Sequence, residues 1–199
     1  MTKRQRVTDE GVVDVSAFSA PWTYRVVLTP DVGDTETFLV AHDAEIQIED
    51  HRGGLDEFTW EGVELTEVSV AARIREGKPV ALEPAWRKLH VFLPTGEPCP
   101  YDLLVSGAFG SNLSRQEIRV EDDASNYNRL LLRSIAGVLR DKLIPRLLSS
   151  GASIVDVLKL LNRGTFLPCS TAAAQVLYEE VRTALLRIPV IVTADSGRS

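Results

Sequence analysis

The chain has 199 residues, of which 44% are hydrophobic and 25% are charged, and its formal net charge is -6. This composition is typical of a globular protein and excludes a chain that is disordered over most of its length. The negative charge argues against a nucleic-acid-binding surface, which needs clustered Lys and Arg to displace counterions from phosphates. With two cysteines and no apolar run long enough to cross a bilayer, the sequence predicts a cytoplasmic protein without membrane contact.

The first half of the chain is rich in residues that favour β-strands. Strand-like runs cover Trp22–Thr29, Phe38–His42, Glu45–Glu49, Glu64–Ile74, Leu89–Leu93 and Leu103–Ser106. Turn-forming residues at 30–34 and 50–54 separate the earlier runs. These runs predict a mixed or antiparallel sheet.

The second half changes to helical spacing. Apolar residues recur at helical intervals between Asn126 and Leu148, and Pro145 is expected to kink or end that helix. A second helix is predicted over Ile154–Leu161, with Ser153 as its cap, and a third from Ser170 or Thr171 to Arg187. Residues 190–193 have the composition of a short strand.

Strands followed by helices predict an α+β fold, with helices covering one face of a mixed sheet. We expect a main domain over residues 10–149 and a small helical extension over residues 150–193. Residues 1–9 and 194–199 are expected to be disordered.

The most informative polar segment is Asn112-Leu-Ser-Arg115, which lies between an apolar strand-like run and a charged stretch. An arginine in such a loop is suited to reach an anion, because its guanidinium is planar and always protonated. The alternative is a surface arginine paired with Glu117 or Asp122. Asn112 and Ser114 have a second interpretation as well, because both residue types often rigidify loops through hydrogen bonds to the backbone.

This segment resembles the catalytic loop in the middle domain of the ninety-kilodalton heat-shock chaperone and of sacsin-like ATPases. The resemblance covers roughly residues 89–150. It rests on five features in chain order: Thr95-Gly-Glu-Pro98, the run Tyr101–Ser106, Ala108-Phe109, Asn112-Leu-Ser-Arg115, and Asn128-Arg129 at the start of a Leu-rich helix.

The resemblance implies a fold like the second domain of ribosomal protein S5 and a catalytic role for Arg115 at the γ-phosphate of ATP. It implies that Asn112, Ser114 and Arg119 lie on the nucleotide side of the loop. Arg119 stands where the chaperones carry a glutamine, so it either makes the anion site more basic or pairs with Glu121.

ATP would be bound mainly by an N-terminal GHKL-type domain that is absent from this sequence, since no nucleotide-binding motif accompanies the loop. We therefore expect no ATP hydrolysis from this chain alone. The implied partners are that ATP-binding domain and protein clients, and the sequence indicates no particular oligomeric state.

Two other hypotheses remain from the sequence. The chain could be a stand-alone protein-interaction module without an ATPase role, or a self-contained enzyme of another type. His42, His51 and His90 lack the spacing of zinc ligands, so no metal site is predicted. No serine elbow is present, and Cys99 lacks a recognisable hydrolase context.

Overall fold

The computed structural model describes residues 3–8, 11–17, 23–29, 34–48, 50–51, 63–111, 117–120, 126–161 and 171–186. Within them one sheet is built from nine strands. The strands are β1 (Lys3–Thr8), β2 (Gly11–Ala17), β3 (Thr23–Thr29), β4 (Glu36–Gln47), β5 (Leu65–Arg75), β6 (Lys78–Pro79), β7 (Lys88–Val91), β8 (Leu93–Pro98) and β9 (Leu104–Gly107).

The strand order is β1-β2-β3-β4-β5-β9-β7-β8, and the short β6 pairs with β5. Every pairing is antiparallel except that of β7 with β9, which is parallel. The sheet is therefore mixed. The α+β fold class predicted from the sequence is confirmed at this level.

Three helical segments follow the sheet. The first consists of α1 (Tyr127–Val138), a π-helical turn (Leu139–Leu143) and α2 (Ile144–Ser149), which run on without a break. The others are α3 (Ile154–Leu161) and α4 (Ala172–Leu185). Ser153 and Thr171 cap α3 and α4, because their hydroxyl oxygens accept the amides of Asp156 and Ala174.

The main core lies between the sheet and the helices. Alternate residues of β4 and β5, such as Leu39 and Val70, pack there with Leu131 and Ile135 of α1. Residues of α3 and α4 belong to the same core, which includes Val157 and Leu177. The opposite side chains of the strands, such as Phe38 and Val40, form a smaller cluster that contains no helical residue among those described.

The predicted boundary at residue 149 stays a prediction, although both sides of it contribute to this core. Residues 3–8, within the segment expected to be disordered, pair as strand β1. The predicted strand at 190–193 and the predicted disorder at 194–199 lie outside the described residues.

Two strand predictions differ from the structure. The runs Phe38–His42 and Glu45–Glu49 form one strand, β4, with a register shift between Asp43 and Ile46. β4 accommodates one extra residue there as a β-bulge. The strand therefore continues through the place where its sequence pattern is interrupted. The run Leu89–Leu93 instead turns at Phe92, because β7 ends at Val91 and β8 begins at Leu93.

Of the two effects expected of Pro145, a kink or an end of the helix, the structure shows that the helix does not end there. The amide of Ile144 bonds to the carbonyl of Leu139, five residues back, and the next nitrogen belongs to Pro145, which has no hydrogen to donate. The π turn widens the helix just before the proline, and helical structure continues to Ser149.

A half-buried ion pair joins β4 to β5 at one end of the sheet. The guanidinium of Arg73 donates two hydrogen bonds to the carboxylate of Glu36, and these bonds hold the pKa of Glu36 below its usual value. A carboxyl whose pKa is lower in the folded state stabilises the fold above its unfolded pKa, and that stabilisation is lost as the pH falls through the folded pKa.

We predict that Glu36→Gln lowers the free energy of unfolding at pH 7 by about 1 kcal/mol. The gap between variant and wild type should shrink as the pH falls below about 4, where the carboxyl is protonated even in the wild type. Urea denaturation across this pH range measures the gap, with the exposed Glu64→Gln as control. A gap that is equal at pH 3 and pH 7 would contradict the assignment.

Candidate functional site

The segment that carries Arg115 is closed at its base by backbone pairing. Ser111 and Ile118 form an isolated antiparallel bridge, and residues 112–117 between them are called the Arg115 loop here. Three of the predicted site residues, Arg115, Asn112 and Ser114, lie outside the described residues. Arg119, the fourth, lies just beyond the bridge and is exposed.

One buried side chain holds both flanks of the Arg115 loop. The side-chain oxygen of Asn128 accepts the amide of Gly110 at 2.8 Å, and its NH₂ group donates to the carbonyl oxygens of Gly110 at 2.7 Å and Arg119 at 2.8 Å. Asn128 is only 6% exposed, so water competes less for these partly buried bonds than it would at the surface. The two ends of the loop are therefore tied to a single amide group.

The start of α1 sets the position of Asn128. The helix is capped by Asn126, whose side-chain oxygen accepts the amide of Arg129 at 3.1 Å. Because Asn126 caps the helix, the side-chain amide group of Asn128 is not needed as a cap. It is therefore available to bond to the flanks of the loop. Leu131 and Ile135, one and two turns further along, are buried in the main core and fix the helix against the sheet.

A buried carboxylate contacts the trailing flank of the loop. One oxygen of Glu97 on β8 accepts the amide of Ile118 at 3.0 Å, and the side chain is 2% exposed. Thr95 supports this strand, because its hydroxyl donates to the carbonyl of Leu89 at 2.7 Å and accepts the amide of Glu97 at 3.1 Å. The other oxygen of Glu97, Oε2, has no hydrogen-bond partner in the part of the chain that is described.

A hydroxyl pair holds the chain where it leaves β9. The hydroxyl of Tyr127 donates to the carbonyl of Ala108 at 3.0 Å and lies 2.7 Å from the hydroxyl of Thr66 on β5. Burial raises the pKa of Tyr127, so the phenol stays protonated as a donor. At Gly107 a Cβ would lie 3.3 Å from side-chain atoms of both Phe109 and Val68, so a larger residue would press on this packing.

The arrangement is a rigid base for a polar loop. Backbone groups before and after the loop are bonded to side chains of β8 and α1, while the Arg119 side chain is exposed at its margin. The N-terminal end of α1 lies at the same base, and no acidic side chain occupies its first turn.

Sequence reasoning had singled out Thr95-Gly-Glu-Pro98 and Asn128 only as parts of a resemblance. The sequence did not show that these residues hold the loop, and it did not single out Tyr127 or Thr66. Glu97 gave no signal of this role, because its neighbours in the chain are Gly96 and Pro98 rather than a run of apolar residues. It became meaningful only when β8 was found beside the loop.

Other reactive side chains do not form a comparable site. Burial raises the pKa of the Cys99 thiol to about 12, so it stays protonated and unreactive. His42 contacts Ser69 at 3.0 Å and Glu67 at 3.8 Å, but His42 and Ser69 are direct cross-strand partners, which by itself accounts for the contact. Among the described residues, no three His, Cys, Asp or Glu side chains are grouped to hold a metal.

No protein-family model matches the chain, and no match was found among curated proteins or among solved structures. Among the described residues, no helix has both the length and the apolar character needed to cross a membrane.

We predict that Asn128→Ala lowers the free energy of unfolding by about 2–3 kcal/mol, because it leaves one buried donor and two buried acceptors without their partner. Asn128→Asp should cost at least as much at pH 7, since a carboxylate would face two carbonyl oxygens. Thermal or urea unfolding measures both, with the exposed Gln47→Ala as control.

The Asn128→Asp loss should also depend on pH. The two carbonyls raise the pKa of the introduced carboxyl in the folded state, so the penalty is present at high pH and is relieved as the pH falls through that pKa. A penalty that does not change between pH 7 and pH 4 would contradict this geometry.

For Glu97 we predict that Ala destabilises the fold by about 1–3 kcal/mol because the Ile118 amide loses its acceptor. Glu97→Gln should cost less, because the amide oxygen can still accept that bond and no buried charge remains. Urea denaturation of the two variants measures both losses in the free energy of unfolding. Equal losses would contradict the view that the bond to the Ile118 amide accounts for the effect of Glu97.

Proposed function

We propose that this chain is the middle domain of a chaperone-like GHKL ATPase, and that it supplies Arg115 to the γ-phosphate of ATP bound on a separate N-terminal domain. The observation that carries the proposal is the clamp on the Arg115 loop. Asn128 bonds to Gly110 before the loop and to Arg119 after it, and Glu97 bonds to Ile118. Two buried polar side chains therefore hold the flanks of the loop, which is what a loop that must present a side chain in a fixed position would need.

The chemistry fits an arginine in particular. Phosphoryl transfer spreads negative charge over the equatorial oxygens of the γ-phosphate, and a guanidinium can bind two of those oxygens at once. An arginine on a rigid mount loses little freedom when it reaches the phosphate, so more of its interaction energy lowers the barrier. The clamp supports this role because it fixes the flanks of the loop.

The remaining predicted site residues have supporting roles in this proposal. Asn112 and Ser114 shape the loop or contact the nucleotide from it. Arg119 offers a second cation, since its backbone carbonyl is held by Asn128 while its side chain is exposed. We also include in the proposal the ribosomal protein S5 domain 2-like topology, a cytoplasmic location and the coupling of nucleotide state to the binding of clients.

The chain by itself would not hydrolyse ATP under this proposal, because the ATP-binding domain supplies the nucleotide pocket. The protein to test is therefore the assembly of this chain with that domain. A stand-alone interaction module remains the alternative, and turnover in the assembly separates the two.

We predict that Arg115→Ala lowers kcat for ATP hydrolysis in the assembly by about 10³-fold or more, with a small change in KM. The reason is that the arginine stabilises charge that develops only in the transition state. Steady-state hydrolysis assays measure both constants. Arg115→Lys should recover only part of the rate, because an ammonium cannot bind two oxygens in the same plane.

The matched control is Arg75→Ala. Arg75 lies on β5 near the end opposite the Arg115 loop, since Val68, not Arg75, pairs with Gly107 of β9. It is also an exposed arginine, so the variant changes the same charge at a distant place. Wild-type turnover in Arg115→Ala would refute the proposed role and favour the interaction module.

A further inference from the structure

The bulge of β4 is in direct contact with the π-helical turn. It lies between Asp43 and Ile46, where β4 has one residue more than β5 opposite to it. The ammonium group of Lys142, within the π turn, donates to the carboxylate of Asp43 at 2.9 Å and to the carbonyl oxygen of His42 at 3.2 Å. The other carboxylate oxygen of Asp43 accepts the amide of Glu45 at 3.2 Å, inside the bulge. One side chain therefore connects the helical layer to the irregular part of the strand.

The ion pair of Lys142 with Asp43 is partly shielded from water. The two side chains are 21% and 30% exposed. Burial alone would raise the pKa of Asp43, but hydrogen bonds from Lys142 and from the amide of Glu45 hold it below its usual value. The carboxylate is therefore charged at neutral pH, and this pair contributes more than a fully exposed ion pair, whose effect on stability is small.

The π turn determines on which face of the helix Lys142 lies. In an uninterrupted α-helix, Lys142 would share the buried face of Ile135 and Leu139, because it follows them by seven and three residues. A π turn contains one residue more than an α turn, so it shifts the buried face by one position. After the shift, the buried residues are Leu143, Ile144 and Leu147. Lys142 is thereby moved from the core line to its margin, beside β4.

Pro145 alone does not account for the π turn. A proline inside a helix removes one donor, and the chain can respond with a kink, an end of the helix or a widened turn. Only the widened turn shifts the buried face by one residue and brings an ammonium group to the bulge. The contact with β4 therefore favours one of three responses that the proline permits.

We infer that the π turn and the β4 bulge are a matched pair: the extra residue of the helix places Lys142 on the extra residue of the strand. This contact fixes the register in which the helical layer packs on the sheet. Pro145 permits the π turn, and the contact of Lys142 with Asp43 and His42 holds it in place. The inference is independent of the proposed function.

A double-mutant cycle on the full chain tests the contact, with Lys142→Met and Asp43→Asn alone and together. In urea denaturation we expect the two effects to be non-additive by about fivefold in the equilibrium constant for unfolding, because either change removes the same interaction. The matched control is Lys159→Met with Asp156→Asn on α3. That pair is 3.7 Å apart and its lysine is 72% exposed, so the two effects should be close to additive.

Amide hydrogen exchange separates a matched pair from an ordinary ion pair. Two amides report on its two halves: that of Ile144, which bonds to Leu139 in the π turn, and that of Ile48, which bonds to Glu64 just beyond the bulge. Lys142→Met should speed exchange at both by about tenfold relative to the amide of Val80, which lies at the far end of β5. Lys142→Arg keeps the charge and should restore most of the protection.

Pro145→Ala tests whether the proline alone determines the π turn. The amide of Ile144 should stay protected in this variant, because Lys142 still holds the turn against β4. Loss of that protection in Pro145→Ala would overturn the inference. Additive effects in the Lys142 and Asp43 cycle would overturn it as well, and so would faster exchange in Lys142→Met at only one of the two reporter amides.

Discussion

A single buried amide group, the side chain of Asn128, connects the helical layer to the segment with the strongest chemical signal in this chain. It uses its oxygen and its NH₂ group on Gly110 and Arg119, which lie on either side of the Arg115 loop. Because the Asn128 side chain is buried, water competes little for these hydrogen bonds, and breaking them leaves polar groups without partners. The loop geometry thus depends on where α1 begins and on how firmly that helix is held.

The main hydrophobic core holds α1 against the sheet. Leu131 and Ile135 of α1 pack with Val68 and Val70 of β5, and the same sheet carries β9, from which the chain runs to the loop. Glu97 contacts the loop flank from β8, which β9 and β7 separate from β5 in the sheet order. Groups from a helix and from an edge strand therefore converge on one short segment. This convergence is more informative than any one of the residues.

Much of the architecture followed from local pattern. Period-two alternation predicted β5 as Glu64–Ile74, and the structure has Leu65–Arg75, because one face of this strand is buried against helices. Helical spacing predicted the segment that begins at Asn126 and predicted Ile154–Leu161 in full. The pattern failed where local rules were overridden by neighbours. Because of a β-bulge, β4 continues past Asp43, and because of a π-helical turn, the helix continues past Pro145. The left-handed backbone of Phe92 makes a hairpin of the run that was predicted as one strand.

The sequence by itself determined the fold class and the positions of most strands and helices, because these depend on residue type and on spacing over a few positions. The candidacy of Asn112, Ser114, Arg115 and Arg119 rests instead on the resemblance of their segment to a known catalytic loop. Only the tertiary structure decided that Glu97 and Asn128 bond to the flanks of one loop. These contacts depend on the parallel pairing of β7 with β9 and on the packing of α1 against β5. Such long-range contacts leave no periodic signal in the chain, since residues far apart in sequence meet only when the sheet and its helical layer are assembled.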